Sequence, residues 1–331
     1  MSDTQRLIEL VDRFSETRVT LYGDLVLDRF ILGTPKRISR EAPVIILRHE
    51  GERDVPGGGA NALANLAALG TTVTAVAAVG NDDNGRALLS ALDSFGVETS
   101  LIVAVDGFRT PTKVRILGGG PSSLKHQVAR FDIEDKLGGD GAWRAQLADH
   151  LRRAATESAA VAISDYGYGC VEPEVIESVL GGQSRWFCLD SRYRIGSFAG
   201  VSGATPNLEE LEMHCGRRLG SDHEVAAGAE SLRVSLGAHF VLATRGNQGM
   251  TIVEEGRSPV HLPVFGTDEV ADVTGAGDTV LAVLTAALAA GAGVEEAARL
   301  ANVAAGLVVM KLGTATIAPG ELRAAVSAGA P

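Results

Sequence analysis

Asp272-Val-Thr-Gly-Ala-Gly-Asp278-Thr279 runs directly into a small and apolar segment, Val280 to Ala290, and this part of the 331-residue sequence decides how the remainder is interpreted. The glycines at 275 and 277 allow a tight turn and a close approach to a ligand, and the apolar run predicts a buried helix. The first amides of a helix lack intrahelical partners and lie at the positive end of its dipole, so the N–H groups of Gly275, Ala276 and Gly277 can bind a phosphate. The stretch therefore predicts an anion site where a helix begins.

A carboxylate, Asp278, lies in the same turn as these glycines. A base beside a pocket that stabilises a transferring phosphoryl group can take the proton from an attacking hydroxyl. This arrangement predicts phosphoryl transfer to an alcohol. The alternative from the local sequence alone is an ordinary strand-to-helix loop in which Asp278 caps the helix.

The composition is that of a folded globular protein, with 45% hydrophobic and 21% charged residues. A net charge of −11 argues against general binding to nucleic acid or to an anionic membrane, because both need a positive field. We therefore expect neither as a partner. A negatively charged substrate would have to be bound by a local cluster of basic residues.

The cysteines and the N-terminus bear on the compartment. Cys170, Cys188 and Cys215 show no metal-ligand spacing, and their odd number indicates reduced thiols. The segment from Met1 to Glu16 carries charges throughout, unlike a signal peptide, and no apolar run is long enough to span a membrane. These features predict a cytoplasmic protein.

Short apolar runs alternate with helical patterns along most of the chain. Predicted strands cover 18–22, 72–79, 101–105, 159–164, 186–190 and 240–244. Predicted helices cover 62–69, 85–95, 143–156, 174–180, 208–215, 225–236, 280–290 and 294–312. Such alternation is typical of a parallel sheet with helices on both faces.

Two segments, at about residues 30–55 and 108–133, break this alternation with β-like pieces and many charges. The first contains Val44-Ile-Ile-Leu47, and the second contains Thr112-Lys-Val-Arg-Ile-Leu117 and Gln127-Val-Ala-Arg-Phe131 on either side of a glycine-rich turn. We predict that both segments form one small β-sheet that stands off the main body as a lid.

With Gly57-Gly-Gly-Ala-Asn61 near the front and the stretch from Asp272 to Asp278 near the back, the chain resembles the ribokinase-like (PfkB) family of sugar and nucleoside kinases. The resemblance covers nearly the whole sequence. It implies a single ribokinase-like kinase domain over 1–331 with an α/β fold, in which a three-layer αβα core surrounds a mostly parallel sheet and the small β-sheet forms the lid. It also implies ATP and Mg²⁺ as cofactors.

Within this family, the chain is most similar to the heptose-7-phosphate kinases. The matching stretches are Gly23-Asp-Leu-Val-Leu-Asp28-Arg29, Arg37-Ile-Ser-Arg-Glu-Ala-Pro43, Ser164-Asp-Tyr166, Thr205-Pro-Asn207, 272–279 and Lys311-Leu-Gly-Thr314. This likeness implies 1-phosphorylation of heptose 7-phosphate. The sequence has no His-x-x-His element for nucleotidyl transfer, so we expect the chain to lack the second activity fused to some relatives.

The resemblance assigns roles to individual residues of the predicted site. Asp278 matches the family's catalytic base, and Gly275 to Gly277 match its anion hole for the γ-phosphate. The positions that match those holding sugar hydroxyls are Asp28, Gly58, Gly59 and Asn61. For Asn61, a helix cap is the local alternative.

Nucleotide and metal residues follow from the same likeness. Asn207-Leu-Glu-Glu210 matches the Asn-x-x-Glu element that organises Mg²⁺ through water, which suits a hard cation that keeps most of its waters. A cap at Asn207, with Glu210 as a solvated first-turn acid, is the local alternative. Asp272 and Thr274, with the backbone near Gly313, match a loop that binds a monovalent cation such as K⁺ in many relatives. The predicted nucleotide loop and adenine pocket contain Thr244, Gly246, Gly249 and Asn302.

A phosphorylated acceptor needs cations that offset the negative charge of the chain. The candidates are Arg37, Arg53, Lys113, Arg115, Arg130, Arg192 and Arg194. Arginine forks match phosphate oxygens well, and we expect Lys113 and Arg192 to contact the acceptor.

Two departures from the heptose kinases concern acceptor specificity. Where those kinases usually read Ser-Asp-Tyr-Ala-Lys and Asp-Pro-Lys, this chain has Ser164-Asp-Tyr-Gly-Tyr168 and Asp190-Ser-Arg192. A lysine is thus replaced at Tyr168 and another at Arg192. A different sugar or sugar phosphate therefore stays open as the acceptor.

Two further hypotheses stand beside the sugar kinase. One is a nucleoside kinase on the same fold, and the other is a catalytically silent regulator that binds a sugar or a nucleotide. Because lid strands often pair between subunits in this family, and an exposed small sheet has edges that such pairing would cover, we expect a homodimer formed through the lid.

Overall fold

Strands and helices alternate through most of the chain. The structure, a computed structural model, describes residues 2–120, 125–138, 141–180, 185–266, 272–311 and 313–329. Its strands are β1 (Arg18–Gly23), β2 (Leu25–Ile38), β3 (Ile45–Gly58), β4 (Thr72–Gly80), β5 (Glu98–Val105), β6 (Thr112–Gly118), β7 (His126–Ile133), β8 (Ala160–Asp165), β9 (Trp186–Ser191), β10 (Gly203–Ala204), β11 (Phe240–Thr244), β12 (Met250–Glu254) and β13 (Val260–Leu262). Its helices are α1 (Asp3–Asp12), α2 (Gly59–Ala68), α3 (Asp83–Asp93), α4 (Ala142–Glu157), α5 (Pro173–Leu180), α6 (Leu208–Cys215), α7 (Asp222–Leu236), α8 (Ala276–Ala289), α9 (Val294–Val309) and α10 (Pro319–Ser327).

The main sheet has the strand order β13-β12-β11-β10-β9-β8-β1-β4-β5 within these ranges. The strands from β11 to β5 in this order are parallel, whereas β12 and β13 are antiparallel additions at one edge. Strand β1 lies inside the sheet, where Val19 pairs with Val73 on one side and with Ala160 on the other. The carboxyl ends of β1 and of its parallel neighbours therefore meet along one edge of the sheet.

Helices cover both faces of this sheet. Strand β1 is buried throughout its centre, with Val19 and Leu21 both 0% exposed, as expected for a parallel sheet between two helical layers. On one face, the Thr20 hydroxyl lies 2.7 Å from the Ser158 hydroxyl at the end of α4. On the other face, α2 and α8 contact each other and β1. The α/β fold with three layers is thus confirmed.

A second sheet has the order β3-β2-β6-β7 in the described part of the chain. Strand β2 pairs antiparallel with β3 and parallel with β6, and β6 pairs antiparallel with β7. Only Asp24 separates β2 from β1 along the chain. The second sheet therefore begins directly at the carboxyl end of the central strand.

The strands of the second sheet extend beyond the predicted segments at 30–55 and 108–133. Strand β2 starts at Leu25, and β3 continues to Gly58, because Leu25 and Gly58 pair with each other across the two strands. Residues 121–124, inside the second segment, lie outside the described residues. The division of 1–331 into one kinase domain with this sheet as its lid stays a prediction.

Several predicted helix bounds need correction. The helix predicted over 85–95 spans Asp83–Asp93, and the one predicted over 225–236 begins at Asp222. The helix predicted over 62–69 spans Gly59–Ala68, since residues 56–58 belong to β3. The helix predicted over 280–290 starts earlier, at Ala276, because Gly275 adopts the left-handed conformation of its N-cap with φ 81°. The helix predicted over 294–312 ends at Val309, and Leu312 lies outside the described residues.

Several elements were not predicted from the sequence, namely α1, α10, β10, β12 and β13. Helix α1 had recognisable signals: the Ser2 side chain accepts a hydrogen bond from the Gln5 amide, and Leu7, Leu10 and Val11 form its buried face. In the part of the chain that the structure describes, no helix is both long and apolar enough to cross a membrane.

Candidate active site

Two adjoining cavities open at the carboxyl edge of the main sheet, where α8 begins. The first, the acceptor cavity, has a volume of about 510 Å³ and includes Asp28, Lys113, Tyr166, Arg192 and Asp278 in its walls. The second, the nucleotide cavity, has a volume of about 590 Å³. The two share Thr244, Val273 and Gly277, so the beginning of α8 lies at their junction.

Asp278 lies at this junction, in the first turn of α8, and is 4% exposed. Its Oδ2 atom accepts a hydrogen bond from Nδ2 of Asn61 at 3.0 Å, and Oδ1 accepts one from the Tyr166 hydroxyl at 2.8 Å. Burial raises the pKa of Asp278 to about 6, although the two hydrogen bonds oppose that rise. A buried carboxyl group that ionises just below neutral pH is suited to act as a general base.

The local alternative for Asp278, a helix cap, is wrong. Gly275 is the N-cap residue of α8, and no side chain caps this helix. The carboxylate of Asp278 instead points to Asn61 and Tyr166, which come from α2 and from the loop after β8.

Asn61 belongs to a buried polar chain between α2 and α8. Its Nδ2 atom donates to Asp278, while its Oδ1 atom accepts a hydrogen bond from Nδ2 of Asn65 at 3.3 Å. Asn65 is 0% exposed, and its Oδ1 atom accepts from the Thr279 hydroxyl at 3.4 Å. Asn61 is the third residue of α2, whose N-cap is Gly58, so the capping alternative is wrong for Asn61 as well.

The predicted anion hole depends on two glycines with different surroundings. At Gly275, with φ 81°, an added Cβ would lie 2.5 Å from Nδ2 of Asn61. At Gly277, an added Cβ would meet no atom within 4 Å. Gly275 therefore has a backbone that other residues rarely adopt, whereas Gly277 leaves open space at the junction of the cavities.

Of the predicted sugar residues, Asp28 and Gly58 line the acceptor cavity on the side formed by the second sheet, whereas Gly59 and Asn61 lie in the first turn of α2 and do not line it. Asp28 is 3% exposed and forms an ion pair with Arg115 on the adjacent strand β6. Gly58 has φ 55° at the start of α2, and the Gly59 amide donates to the Asp24 carbonyl at 3.1 Å. Asp28 thus enters the cavity as a paired carboxylate rather than a free one.

Cations from both sheets line the acceptor cavity. Lys113 and Arg192, the two preferred by sequence, are joined there by Arg115 and Arg130. Among the described residues, Lys113 has no carboxylate within 4.0 Å, and its Nζ atom lies 5.5 Å from the centre of the Tyr166 ring. Burial lowers the pKa of Lys113.

The remaining candidate cations are placed differently. Arg37 and Arg53 are exposed on the second sheet, and Arg53 stacks on Phe30 at 5.1 Å from the ring centre. Arg194 forms an ion pair with Asp165 at 3.0 Å and donates to the Val171 carbonyl. These three arginines do not line the acceptor cavity.

The departure at Tyr168 also lies in this cavity. The Tyr168 hydroxyl donates to Oε1 of Glu134 at 3.1 Å, which connects the loop after β8 to the end of the second sheet. Burial raises the pKa of Tyr168, and the hydrogen bond to Glu134 adds to the rise. A neutral phenol therefore stands where the resemblance predicts a lysine.

Asn207 and Glu210 form a capping box at the start of α6. The Asn207 amide donates to Oε2 of Glu210, and the Glu210 amide donates to Oδ1 of Asn207, both at 2.9 Å. The cap at Asn207 is therefore confirmed, whereas Glu210 is a half-buried member of the capping box rather than a solvated acid. Both side chains also line the acceptor cavity.

Asp190, a further carboxyl group in the same cavity, had no predicted role. Burial raises the pKa of Asp190, and the charges of Glu210 and Asp278 add to that rise. Burial also raises the pKa of Glu210. Carboxyl groups held this close need a cation or a proton to offset their charge.

The nucleotide cavity contains every residue predicted for it. Thr244, Gly246, Gly249 and Asn302 line this cavity together with apolar side chains such as Val280 and Val309. Nδ2 of Asn302 donates to the Pro263 carbonyl at 2.8 Å, which fixes the loop after β13. The cavity is thus mostly apolar, with a few polar groups, as is usual for small-molecule sites.

Asp272 organises the loop that leads into α8. It accepts hydrogen bonds from the Thr274 amide at 2.9 Å and from the Gly313 amide at 3.2 Å. Burial would raise the pKa of Asp272, but these hydrogen bonds outweigh burial and lower it. Within the described ranges, no group of three or more His, Cys, Asp or Glu side chains is arranged to hold a metal ion.

Tyr166 and Asp24 were not assigned a role from the sequence. Asp24, after β1, accepts hydrogen bonds from the amides of Tyr166, Tyr168 and Cys170 at 2.9–3.0 Å. Burial and the charge of Asp165 raise the pKa of Asp24 to about 6. The signal in the sequence was position: both residues directly follow predicted strands whose carboxyl ends meet at the site.

Comparisons with known proteins agree with this geometry. The profile of the family described as pfkB family carbohydrate kinase matches residues 16–125 and 196–320. The protein called bifunctional protein HldE from Paramagnetospirillum magneticum is 39% identical over 328 residues, which cover 97% of this chain and 66% of that protein. The protein of the same name from Nitrosococcus oceani is 41% identical over 315 residues, covering 95% and 64%. The chain thus spans about two thirds of the length of these relatives.

Solved structures with the same fold include two sugar kinases. Ribokinase from Arabidopsis thaliana, complexed with ribose and ATP, has a TM-score of 0.72 at 19% identity and covers 94% of this chain and 98% of its own. Phosphofructokinase-2 from Escherichia coli, in complex with potassium, has a TM-score of 0.76 at 21% identity and covers 94% and 99%. These likenesses show that the fold is ribokinase-like.

Proposed function

Because the chain belongs to the pfkB family of carbohydrate kinases, we propose that it transfers the γ-phosphate of ATP to a hydroxyl of a sugar phosphate, with Asp278 as the general base. The observation that carries this proposal is the position of Asp278. Its buried carboxylate lies where α8 begins and where the two cavities join. An acceptor hydroxyl and a γ-phosphate would meet at this point.

The transfer proceeds by in-line attack of the acceptor hydroxyl on the γ-phosphate. Asp278 accepts the hydroxyl proton as the new O–P bond forms, and ADP leaves into the nucleotide cavity. The amides of Gly275, Ala276 and Gly277 stabilise the charge on the phosphoryl oxygens at the positive end of α8. Gly277 supports this role because the space beside its Cα is open.

The apolar walls and the few polar groups of the nucleotide cavity support ATP as its ligand. We propose that Thr244, Gly246 and Gly249 contact the nucleotide and that Asn302 shapes the adenine pocket through its hydrogen bond to Pro263. The base would lie against the apolar side chains of α8 and α9.

Mg²⁺ would be held through water near Asn207 and Glu210. The raised pKa values of Glu210 and of the neighbouring Asp190 support this site, because burial and close negative charge favour a cation there. When bound, Mg²⁺ neutralises charge on the phosphates of ATP. A monovalent cation such as K⁺ would be held at the loop of Asp272 and Thr274.

The acceptor is anionic in this proposal. Lys113, Arg115, Arg130 and Arg192 line the acceptor cavity, and Lys113 lacks a carboxylate partner among the described residues. Asp28, Gly58 and Gly59 would border the sugar hydroxyls. The resemblance to heptose-7-phosphate kinases makes heptose 7-phosphate the first acceptor to test, with phosphorylation at its 1-position.

Two other acceptors and a silent regulator compete with this proposal. Tyr168 and Arg192 replace the lysines usual in heptose kinases, so other sugars and sugar phosphates stay candidates for the acceptor. A nucleoside would leave Lys113, which has no carboxylate within 4.0 Å among the described residues, without an anionic partner. A silent regulator would not need a buried base at the beginning of α8.

An ADP-release assay with Mg²⁺-ATP tests the function. The assay compares heptose 7-phosphate, hexose and pentose phosphates, the matching free sugars and nucleosides as acceptors. It is run on the wild-type protein, on Lys113→Met and on Arg53→Met, which serves as a control at an exposed position. We expect turnover with a sugar phosphate, at least a tenfold rise of KM in Lys113→Met for that acceptor only, and no change in Arg53→Met. Preference for a free sugar or a nucleoside would contradict the proposal that the acceptor is anionic. Absence of turnover with every acceptor would contradict the proposal that the protein is a kinase.

The second sheet supports a homodimer. It exposes Ile38, Val44, Ile45, Val128 and Phe131 by 45–72% of their surfaces, and such apolar area is commonly covered by a partner. We propose that two copies pair through this sheet, in a protein that acts in the cytoplasm. Light scattering tests the dimer, and Phe131→Glu with Val128→Glu should convert it to monomers.

A further inference from the structure

Tyr166 contacts the proposed base directly and is held there from several directions. Its hydroxyl lies 2.8 Å from Oδ1 of Asp278, and its amide donates to Oδ2 of Asp24 at 2.9 Å. Its ring packs against the start of α2, where a Cβ on Gly58 would lie 3.2 Å from Cε2 of Tyr166. Lys113 lies on the ring with its Nζ atom 5.5 Å from the centre.

Each carboxylate oxygen of Asp278 accepts one hydrogen bond, and the two donors come from different parts of the fold. Asn61 of α2 donates to Oδ2, and Tyr166 of the loop after β8 donates to Oδ1. An ionised carboxylate can only accept, so the phenol donates in this pair. A donor on each oxygen restricts the rotation of the carboxylate and favours its ionised form.

We propose that Tyr166 is a positioning residue of the phosphoryl transfer, whose hydroxyl holds the Asp278 carboxylate in the orientation that meets the acceptor hydroxyl. This inference rests on the proposed function, because it takes Asp278 as the base. Each carboxylate oxygen keeps a second lone pair, so the acceptor hydroxyl can donate to Asp278 while Tyr166 stays bound.

The hydroxyl of Tyr166 also counteracts the desolvation of Asp278. Burial raises the pKa of Asp278, the hydrogen bonds of Asn61 and Tyr166 lower it, the charge of Asp28 raises it and that of Lys113 lowers it. Asp190 and Arg192 are the other charged groups that interact with this pair. Without the phenol, only Asn61 donates to the buried carboxylate, which then protonates at a higher pH.

Tyr166→Phe is the direct test, since it keeps the ring under Lys113 and removes only the donor. The pKa of Asp278 is measured in the ligand-free protein by ¹³C NMR of the side-chain carboxyl groups, with Asp278→Asn to assign the signal. We expect the pKa of Asp278 to rise by about one unit in Tyr166→Phe. The acid limb of kcat/KM should move to higher pH by the same amount. The plateau above pH 8 should stay several-fold below the wild-type value, because the carboxylate is then ionised but oriented by Asn61 alone.

A matched control separates positioning from stability. Tyr22 is another buried tyrosine whose hydroxyl is hydrogen-bonded, in its case to the Cys170 carbonyl, and it does not contact Asp278. Tyr22→Phe should lower the melting temperature and leave the pKa of Asp278 and the acid limb unchanged. Replacing Tyr166 by 3-fluorotyrosine, a stronger donor, should lower the pKa of Asp278.

An unchanged pKa of Asp278 in Tyr166→Phe and in the 3-fluorotyrosine protein would overturn the inference. So would an equal shift in Tyr22→Phe. The NMR measurement needs no substrate, so it decides the role of Tyr166 even if the protein turns over no acceptor. Absence of turnover in the wild-type protein, by contrast, would count against the proposed function alone.

Discussion

Nδ2 of Asn61 lies 3.0 Å from Oδ2 of Asp278 and joins two segments that are 217 residues apart in the chain. The contact connects the beginning of α2 to the beginning of α8. Since Asn65 and Thr279 continue the same hydrogen-bonded chain into the interface, the orientation of Asp278 depends on the packing of both helices.

Replacement of the proposed base should stop turnover without affecting nucleotide binding. Asp278→Asn keeps the size of the side chain but cannot accept the hydroxyl proton. We expect kcat to fall by about a hundredfold or more, with the affinity for ATP unchanged by calorimetry. Full activity in this variant would exclude Asp278 as the base.

The same substitution should make the protein more stable at neutral pH. The folded-state pKa of Asp278, about 6, lies above the ordinary aspartate value, so its favourable contribution is complete below about pH 4 and is lost as the pH rises through 6. Asp278→Asn removes this loss and should raise the free energy of unfolding at pH 7.5 by at most about 3 kcal/mol. Urea unfolding at pH 7.5 and 4 should show the gain at the higher pH only.

Activity should depend on the ionisation of Asp278. Only the carboxylate can act as a base, and its pKa is raised to about 6 by burial. We therefore expect kcat/KM to fall tenfold per pH unit below about pH 6. A profile that stays flat to pH 5 would contradict the pKa of Asp278 or its role.

The two glycines of the anion hole should respond differently to alanine. Gly275→Ala forces a positive φ and a contact with Asn61, so it should lose roughly 1–2 kcal/mol of stability as well as activity. Gly277→Ala has free space for its methyl group and should fold normally. Its methyl group would enter the space of the γ-phosphate, so kcat should fall at least tenfold while the melting temperature stays at or above the wild-type value.

Glu210 allows the capping role to be separated from the metal role. Glu210→Gln keeps an oxygen for the Asn207 amide but loses the negative charge. We expect little change in the melting temperature and a several-fold rise in the Mg²⁺ concentration needed for half-maximal rate. Asn207→Ala, which removes the cap, should lower stability by about 1 kcal/mol. An unchanged Mg²⁺ requirement in Glu210→Gln would remove Glu210 from the metal site.

Local sequence patterns were sufficient for most of the fold. Strands such as β11 and helices such as α6 begin and end as predicted, because apolar runs and caps are encoded within a few residues. The C-terminal end of β3 and the N-terminal end of α8 were not predicted, for a different reason. Pairing of Leu25 with Gly58 and the left-handed Gly275 depend on partners or dihedrals that a linear pattern does not contain.

Many members of the candidate site were predicted from the sequence, but Tyr166 and Asp190 were not, and neither were the pairings. Asp278, Asn61 and Lys113 were expected in one place, yet the hydrogen bonds of Asp278 to Asn61 and Tyr166 come from three distant segments. The capping box of Asn207 and Glu210 is local and was weighed from sequence. Long-range pairs arise only when the strand order brings the carboxyl ends together.

That strand order also has a consequence during protein synthesis. Strand β1 is made early, but one of its two neighbours in the sheet, β8, begins only at Ala160. Until β8 has been synthesised, the edge of β1 that pairs with β8 has no partner strand, and the apolar Val19 and Leu21 lie on this strand. An unpaired apolar edge invites intermolecular pairing, and contacts between such distant segments form slowly. The nascent chain is therefore expected to need a chaperone for longest at β1, a strand that ends inside the sheet.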